Sequence, residues 1–264
     1  MRIGFAGCGN MATAMIKGIL DKGVVSPADV FATSATKETR KRKSEELGIV
    51  FCDSNRELAE KCDVLFLAVK PGLYEEVINE IRDVLTEEKI LIAMTPGKTI
   101  EWLREKAGES VKIIRIMPNT PAAVCEAMTS VTPAANVSEE ELEKVTYILN
   151  SFGKTAVVKE SLIDAVIAVS GSSPAYVFMI IEAMADAAVM EGLPRKDAYT
   201  FAAQAVLGSA KMVLDLGKHP GELKDMVCSP GGTTIEAVAK LEEKGLRSAL
   251  IEAMRVCVDK SSKM

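Results

Sequence analysis

Near the start of the chain, Gly7-Cys8-Gly9-Asn10-Met11-Ala12 sets two glycines and a small residue at the spacing G-x-G-x-x-A. The apolar run Arg2 to Ala6 precedes it, and Met11 to Leu20, with apolar residues at helical spacing up to a stop near Gly23, follows it. Each position suits dinucleotide binding. Gly7 allows a tight turn, Gly9 lets the main chain approach a pyrophosphate, and Ala12 allows close helix–strand packing. The phosphates then rest on free N–H groups at a helix N-terminus, where the dipole favours negative charge. The end of the second strand bears on which dinucleotide. NAD-preferring sites carry an acid there for the ribose 2′-hydroxyl, but Ala32-Thr33-Ser34-Ala35-Thr36-Lys37 has none. Short hydroxyls and a nearby lysine tolerate a 2′-phosphate, so NADPH is expected, with NADH as a second choice. The plainer alternative is that Thr33 and Ser34 only end the strand.

Two further clusters lie in the second half. Ser170-Gly171-Ser172-Ser173-Pro174-Ala175-Tyr176 precedes a very apolar helix, and Ser173 before Pro174 reads as an N-cap and first helical residue. In Ser229-Pro230-Gly231-Gly232-Thr233-Thr234-Ile235-Glu236, Thr233 and Glu236 have capping-box spacing. The paired glycines there also expose backbone N–H groups at a helix N-terminus, which suits a carboxylate. Cap and anion site both remain open on these residues. The single histidine, His219, is expected at the surface or in a cap rather than as a general base. The six cysteines (Cys8, Cys52, Cys62, Cys125, Cys228, Cys257) form no CxxC pair and have no histidine beside them, so no metal site is expected. Each reads as a small apolar residue in a reducing cytosol, and no signal peptide is read at the start.

The elements behind these clusters fall into two halves. Through the first, short strand-like runs (Arg2–Ala6, Val30–Thr33, Ile49–Cys52, Asp63–Val69, Lys89–Ala93, Val111–Met117) alternate with helical patterns, which predicts a mostly parallel, doubly wound sheet. After Lys159 only helices are expected: 162–169, 174–191, 195–216, 220–226, 233–244 and 246–259. The boundary is placed near Glu160, giving domains 1–160 and 161–264. With 264 residues, 48% of them apolar, the chain can build such cores. A net charge of −5 argues against nucleic acid as partner, and the charge runs 37–43 and 139–143 read as solvated helix faces. Pro174 to Met190 is apolar nearly all round but carries Glu182 and Asp186. A buried helix is expected rather than a membrane span, and enclosing it calls for a large helical dimer interface.

Taken together, the chain resembles the pyrroline-5-carboxylate reductases. The matching pieces are Gly7 to Ala12, Leu67-Ala68-Val69-Lys70-Pro71, Arg115-Ile116-Met117-Pro118-Asn119-Thr120-Pro121, Ser170 to Tyr176, Glu191-Gly192-Leu193-Pro194-Arg195, His219 to Asp225 and Ser229 to Ile235. They run the length of the chain in the family's order, and Pro230-Gly231-Gly232-Thr233-Thr234 is the most specific. One position departs: Ser173 stands where the family usually has a glycine. The resemblance implies an α/β Rossmann-type N-terminal domain and an all-helical C-terminal dimerisation domain, with dimers assembling further, commonly into pentamers of dimers. It implies a soluble cytoplasmic enzyme of proline biosynthesis that reduces the cyclic imine 1-pyrroline-5-carboxylate to L-proline by hydride transfer from NAD(P)H. Cofactor contacts are implied at Ala6, Gly7, Cys8, Gly9, Asn10 and Met11, at Ser34 and Asn55, at Ala68, Val69, Lys70 and Pro71, and at Met94, Thr95 and Pro96. Substrate contacts are implied at Ser172, Ser229, Pro230, Gly231, Gly232, Thr233 and Thr234, with the Thr234 hydroxyl beside the ring nitrogen as the catalytic group.

That chemistry agrees with what the chain lacks. A protonated C=N is already electrophilic and needs positioning more than acid–base help. The nearest alternative, a hydroxyacid dehydrogenase, needs a base on the long helix, and Ser172 to Glu182 contains neither lysine nor histidine. An oxidoreductase for another imine and a non-catalytic NADPH-binding protein are the remaining alternatives.

Overall fold

A computed structural model describes residues 1–263. One compact unit comprises residues 1–171 and 258–263, and a second comprises Ser172–Cys257. In the first unit, β1 (Ile3–Ala6), β2 (Val30–Ala32), β3 (Val50–Phe51), β4 (Val64–Leu67), β5 (Ile90–Ala93) and β6 (Lys112–Met117) pair in parallel in the order β3-β2-β1-β4-β5-β6. Parallel neighbours need crossovers. These include α1 (Asn10–Asp21), α2 (Lys37–Leu47), α3 (Asn55–Lys61), α4 (Tyr74–Ile81) and α5 (Ile100–Ala107). The strand order reverses between β1 and β4, where open α/β sheets leave a crevice outside the carboxyl ends of the strands.

Side-chain alternation sorts the core into two layers. Ile3, Phe5, Val64 and Phe66 bury against α1, while Leu65, Leu67, Leu91 and Ile113 bury on the face that carries α3, α4 and α5. Phe5 and Phe66 are register partners, with rings stacked at 4.7 Å. Burial on both faces is why residues 64–67 read as an unbroken apolar run. The charge runs at 37–43 and 139–143 fall on α2 and on α6 (Glu139–Leu149), as expected, and Ser138 with Glu141 forms a capping box at the start of α6.

Two strands escape the periodicity reading. β7 (Ala127–Pro133) runs antiparallel to β6, and β8 (Gly153–Val157) runs parallel to β7. The β7 sequence is small and hydroxylated, and its buried positions include Thr129, Ser130 and Thr132 rather than a run of branched aliphatics.

The compact units divide further along than Glu160. Residues 160–171, which include α7 (Ile163–Val166) and a π-helical turn Ile167–Gly171, are tied to the sheet unit. Glu160 bonds Arg115, Asp164 bonds Ser261, and Ser170 bonds Asn119. The expected Ser173 cap does not form. Ser172 occupies the N-cap position with helical backbone and no side-chain cap bond, and Ser173 is the first helical residue. Because the π turn leads straight into α8 (Ser173–Met190), no exposed first turn is left for a side chain to cap.

In the second unit α8 pairs with α9 (Arg195–Leu216) through Ala185, Ala198 and Ala202, small residues that let the helices approach closely. α10 (Pro220–Val227), α11 (Thr233–Glu243) and α12 (Leu246–Ser261) follow. Within the single chain α8 buries only Ala185. Phe178, Met190, Phe201, Leu214 and Val256 are 63–84% exposed, far more large apolar surface than a lone soluble unit leaves in water.

Candidate active site

The turn after β1 is held from three sides. Gly7 has φ +95°, and a Cβ there would meet the Ala68 carbonyl oxygen at 2.8 Å, so only glycine lets the turn lie against the end of β4. The Gly7 N–H donates to Thr33 Oγ1 at 3.2 Å, which ties the turn to the end of β2. Gly9 is the N-cap of α1 and makes no side-chain cap bond, so the first N–H groups of α1 remain available. A Cβ on Gly9 would meet no atom within 4 Å, so the space above that helix end is open to the backbone. Cys8 contributes its main chain: its side chain is buried beside Thr13, and burial pushes the thiol pKa up.

A cleft of about 610 Å³ opens beside this turn. Of the sequence-predicted cofactor residues, Gly7, Ser34, Asn55 and Val69 line it. Ala6 ends β1, Asn10 and Met11 open α1, and Lys70 and Pro71 lead into a single 3-10 turn after β4. Met94, Thr95 and Pro96 follow β5. Tyr74, fully buried, donates to the Leu67 carbonyl at 2.7 Å and accepts from the Met94 N–H at 3.0 Å, so it ties the ends of β4 and β5 together.

Charged residues that periodicity could not select also face the cleft: Arg40, Asp53, Arg56, Glu76 and Glu80. They arrive from α2, α3, α4 and the loop before α3. Arg40 pairs with Asp53 at 2.5 Å, and its buried Nε has no protein partner. Lys37, the lysine singled out for a 2′-phosphate, instead lines a neighbouring hollow with Arg40 and Lys41. Helix α2 carries Lys37 toward that hollow, while Arg40, one turn on, lines both.

Two buried polar networks hold the far side of the sheet. Arg115 on β6 donates to Glu160 Oε1 at 2.5 Å and to the Thr95 carbonyl at 3.5 Å, and the Ile100 N–H donates to the same Glu160 oxygen at 2.7 Å. Asn119 Nδ2 donates to the Ser170 carbonyl and hydroxyl, both at 3.2 Å, and its Oδ1 accepts from the Met128 N–H at 2.9 Å. The first network fixes the loop after β5, and the second anchors the π turn.

In the second unit the predicted substrate residues Ser229 to Thr234 form one turn at the start of α11. Gly231 has φ +64°, and a Cβ on Gly232 would meet Ser229 Oγ at 2.3 Å. Gly232, not Thr233, is the N-cap, so the Thr233–Glu236 capping box does not form. Thr233 already has helical backbone, which turns its hydroxyl away from the capping position. The Gly232 N–H is spent on the Ser229 carbonyl at 3.0 Å, but no side chain caps the N–H groups of the first turn of α11. Ser172 lies elsewhere in this unit, with its Oγ 3.3 Å from Cys257 Sγ. Burial first, then contact with Cys257, raises the pKa of the Tyr176 phenol. His219 caps α10, its Nδ1 accepting from the Gly221 N–H at 3.1 Å. All six cysteines are free.

Comparison with known proteins agrees with this arrangement. A family model described as pyrroline-5-carboxylate reductase dimerisation matches residues 160–264. One described as NADP oxidoreductase, coenzyme F420-dependent, matches residues 2–97. Pyrroline-5-carboxylate reductase of Escherichia coli (strain K12) is 51% identical over 263 residues, spanning 100% of this chain and 98% of that protein. The Methanosarcina acetivorans reductase is 40% identical over 100% of this chain and 97% of its own length. Among solved structures, the Plasmodium falciparum pyrroline carboxylate reductase with NADP bound is 32% identical with a TM-score of 0.90, covering 100% of this chain and 97% of that one. The helical half that the single chain leaves uncovered is thus a dimerisation domain, and the chain belongs to the pyrroline-5-carboxylate reductase family.

Proposed function

We propose that the chain reduces 1-pyrroline-5-carboxylate to L-proline with the reduced dinucleotide seated on the Gly7–Ala12 turn and the substrate carboxylate seated on the Ser229–Thr234 turn. One observation carries this division of labour: α1 and α11 both begin at a glycine N-cap that no side chain fills. Each start offers N–H donors and the positive end of a helix dipole to an anion. The open space at Gly9 and the orphaned Arg40 Nε fit a phosphate-bearing cofactor. NADPH supplies the hydride when bound, and NADH can replace it.

The chain's own residues then do little chemistry and much positioning. N–H groups at the start of α11, with Ser229, hold the carboxylate. The Thr234 hydroxyl accepts from the ring N–H of the protonated imine, which turns the C=N carbon toward the hydride donor. Ser172 is placed among the substrate contacts as well. No general base is assigned: His219 Nδ1 is engaged in a cap, and iminium reduction needs no proton removed before hydride arrives. Met94, Thr95 and Pro96 border the nicotinamide end, on a loop that Tyr74 and Arg115 hold rigid.

NADPH and NADH oxidation followed with 1-pyrroline-5-carboxylate, then with its six-membered homologue and open-chain carbonyl analogues, tests the reading. Turnover of the five-membered imine acid is expected. No turnover of any imine overturns it.

The helical half, residues 161–264, serves both dimerisation and substrate binding, and dimers gather into pentamers of dimers. A stable monomer at low micromolar concentration in sedimentation would refute self-association, and a dimer alone would refute the larger assembly. Six free thiols support a reducing cytosol as its location.

A further inference from the structure

The cofactor cleft contains an acid that the second strand lacks, and we infer that Glu80 sets the balance between NADPH and NADH. The inference rests on the cofactor reading of the cleft and deepens it to specificity. Thr33 directly follows β2, the place from which an acid usually reaches the ribose hydroxyl. Its hydroxyl accepts from the Gly7 N–H and donates to Asn55 Oδ1 at 2.6 Å. With Oδ1 committed to Thr33, the Asn55 amide turns Nδ2 the other way, where it donates to Glu80 Oε2 at 2.7 Å. A carboxylate from α4 therefore stands two hydrogen bonds from the end of β2, in the cleft that Ser34 also lines.

The charges around it make this acid count. The lining carries two cations, Arg40 and Arg56, and three acids, Asp53, Glu76 and Glu80. Arg40 is engaged by Asp53, and Arg56 pairs with Glu60 at 3.3 Å. Glu80 accepts from the neutral amide of Asn55. A ribose 2′-hydroxyl can donate to this carboxylate, whereas a 2′-phosphate brings like charge toward it. The two arginines pull the preference one way and Glu80 pulls it the other, which keeps NADH usable in a cleft whose second strand has no acid.

Glu80→Gln isolates the charge, because the amide oxygen can still accept from Asn55 Nδ2. Binding of NADPH and of NADH to the full chain is titrated by nucleotide fluorescence, without imine. The ratio of the two Kd values is expected to move about tenfold toward NADPH, with NADPH tightening and NADH weakening. Glu80→Asp, which keeps the charge, should hold the wild-type preference. An unchanged ratio in Glu80→Gln overturns the inference. So does equal weakening of both nucleotides, which would make Glu80 only a prop for Asn55. Binding of neither nucleotide to the wild-type chain overturns the cofactor reading together with the inference. Tight binding with no turnover of imine leaves the inference standing and overturns the proposed reaction alone.

Discussion

Glu160→Gln removes one charge from the pair that fixes the loop after β5. The Arg115 side chain is 7% exposed and that of Glu160 is 34% exposed, with 2.5 Å between them. Stranding one charge of a buried pair costs about 3–5 kcal/mol. Water reaches the Glu160 side, and the glutamine oxygen can still accept from the Ile100 N–H, so about 2 kcal/mol is the working figure. Arg115→Met is the milder change. It takes the buried charge away altogether, and the carboxylate it leaves behind has both water and the Ile100 N–H, so about 1 kcal/mol is expected. The double variant, with neither charge, should lie near Arg115→Met, giving a coupling of about 2 kcal/mol. The single tryptophan, Trp102, sits on α5 two residues past Ile100, so its fluorescence during urea unfolding reads this region directly. In thermal unfolding the Glu160→Gln midpoint should drop by roughly 4–8 °C. If Arg115→Met is the more damaging change, or the two changes add within about 0.5 kcal/mol, the buried guanidinium does not depend on Glu160 and the reasoning fails.

Thr234→Ala should lower kcat/KM for the imine roughly tenfold or more, since a hydrogen bond to a charged group is worth about 1.5–3 kcal/mol; unchanged kinetics would remove Thr234 from the mechanism. Gly9→Val should leave the fold intact, because φ at Gly9 is −81° and a Cβ there meets nothing, yet weaken NADPH about tenfold or more by filling the pyrophosphate approach. Undiminished NADPH affinity in equilibrium titration would move the cofactor off this turn. Hydrogen bonds from Lys17 and then Lys43 hold the Glu46 carboxyl down at about 2, against an ordinary value of 4.5. A lowered folded-state pKa adds stability that is complete above the ordinary value and fades as pH falls from 4.5 toward 2. The urea midpoint of Glu46→Gln should therefore lie below wild type at neutral pH, and the gap should close in that acid window. A gap of constant size across it would contradict the ion pairs.

The central strands β1, β4 and β5 are legible because they share one physical requirement. A strand covered on both faces must be apolar at every position, and Val64 to Leu67 shows this without help from its neighbours. β7 obeys a different requirement: it buries Thr129, Ser130 and Thr132 beside antiparallel β6, so neither an apolar run nor clean alternation marks it. Helices α8 to α12 were readable from spacing, but their burial was not. The expectation that Pro174 to Met190 is enclosed is not met within one chain, where only Ala185 is buried. What that helix needs is a second copy, as its dimerisation-domain membership requires.

The site divides along the same physical line. In the proposed function the Gly7 and Gly232 turns act through backbone N–H groups at helix starts, and the glycines that make room for them must stand at fixed offsets, so the sequence displays both turns. The proposed tuning side chains come from separate elements: Thr33 follows β2, Asn55 opens α3 and Glu80 lies on α4, and Arg115 meets Glu160 across 45 residues of chain. No offset encodes such a meeting. Absence of an acid in Ala32 to Lys37 favours a 2′-phosphate only where the second strand alone supplies the discriminating charge. The fold brings a carboxylate from α4 to within two hydrogen bonds of that place, in a cleft whose arginines, Arg40 and Arg56, pull the other way. On the Glu80 inference, cofactor preference is a property of the assembled cleft, and a substitution on α4 should shift it as surely as one at the end of β2.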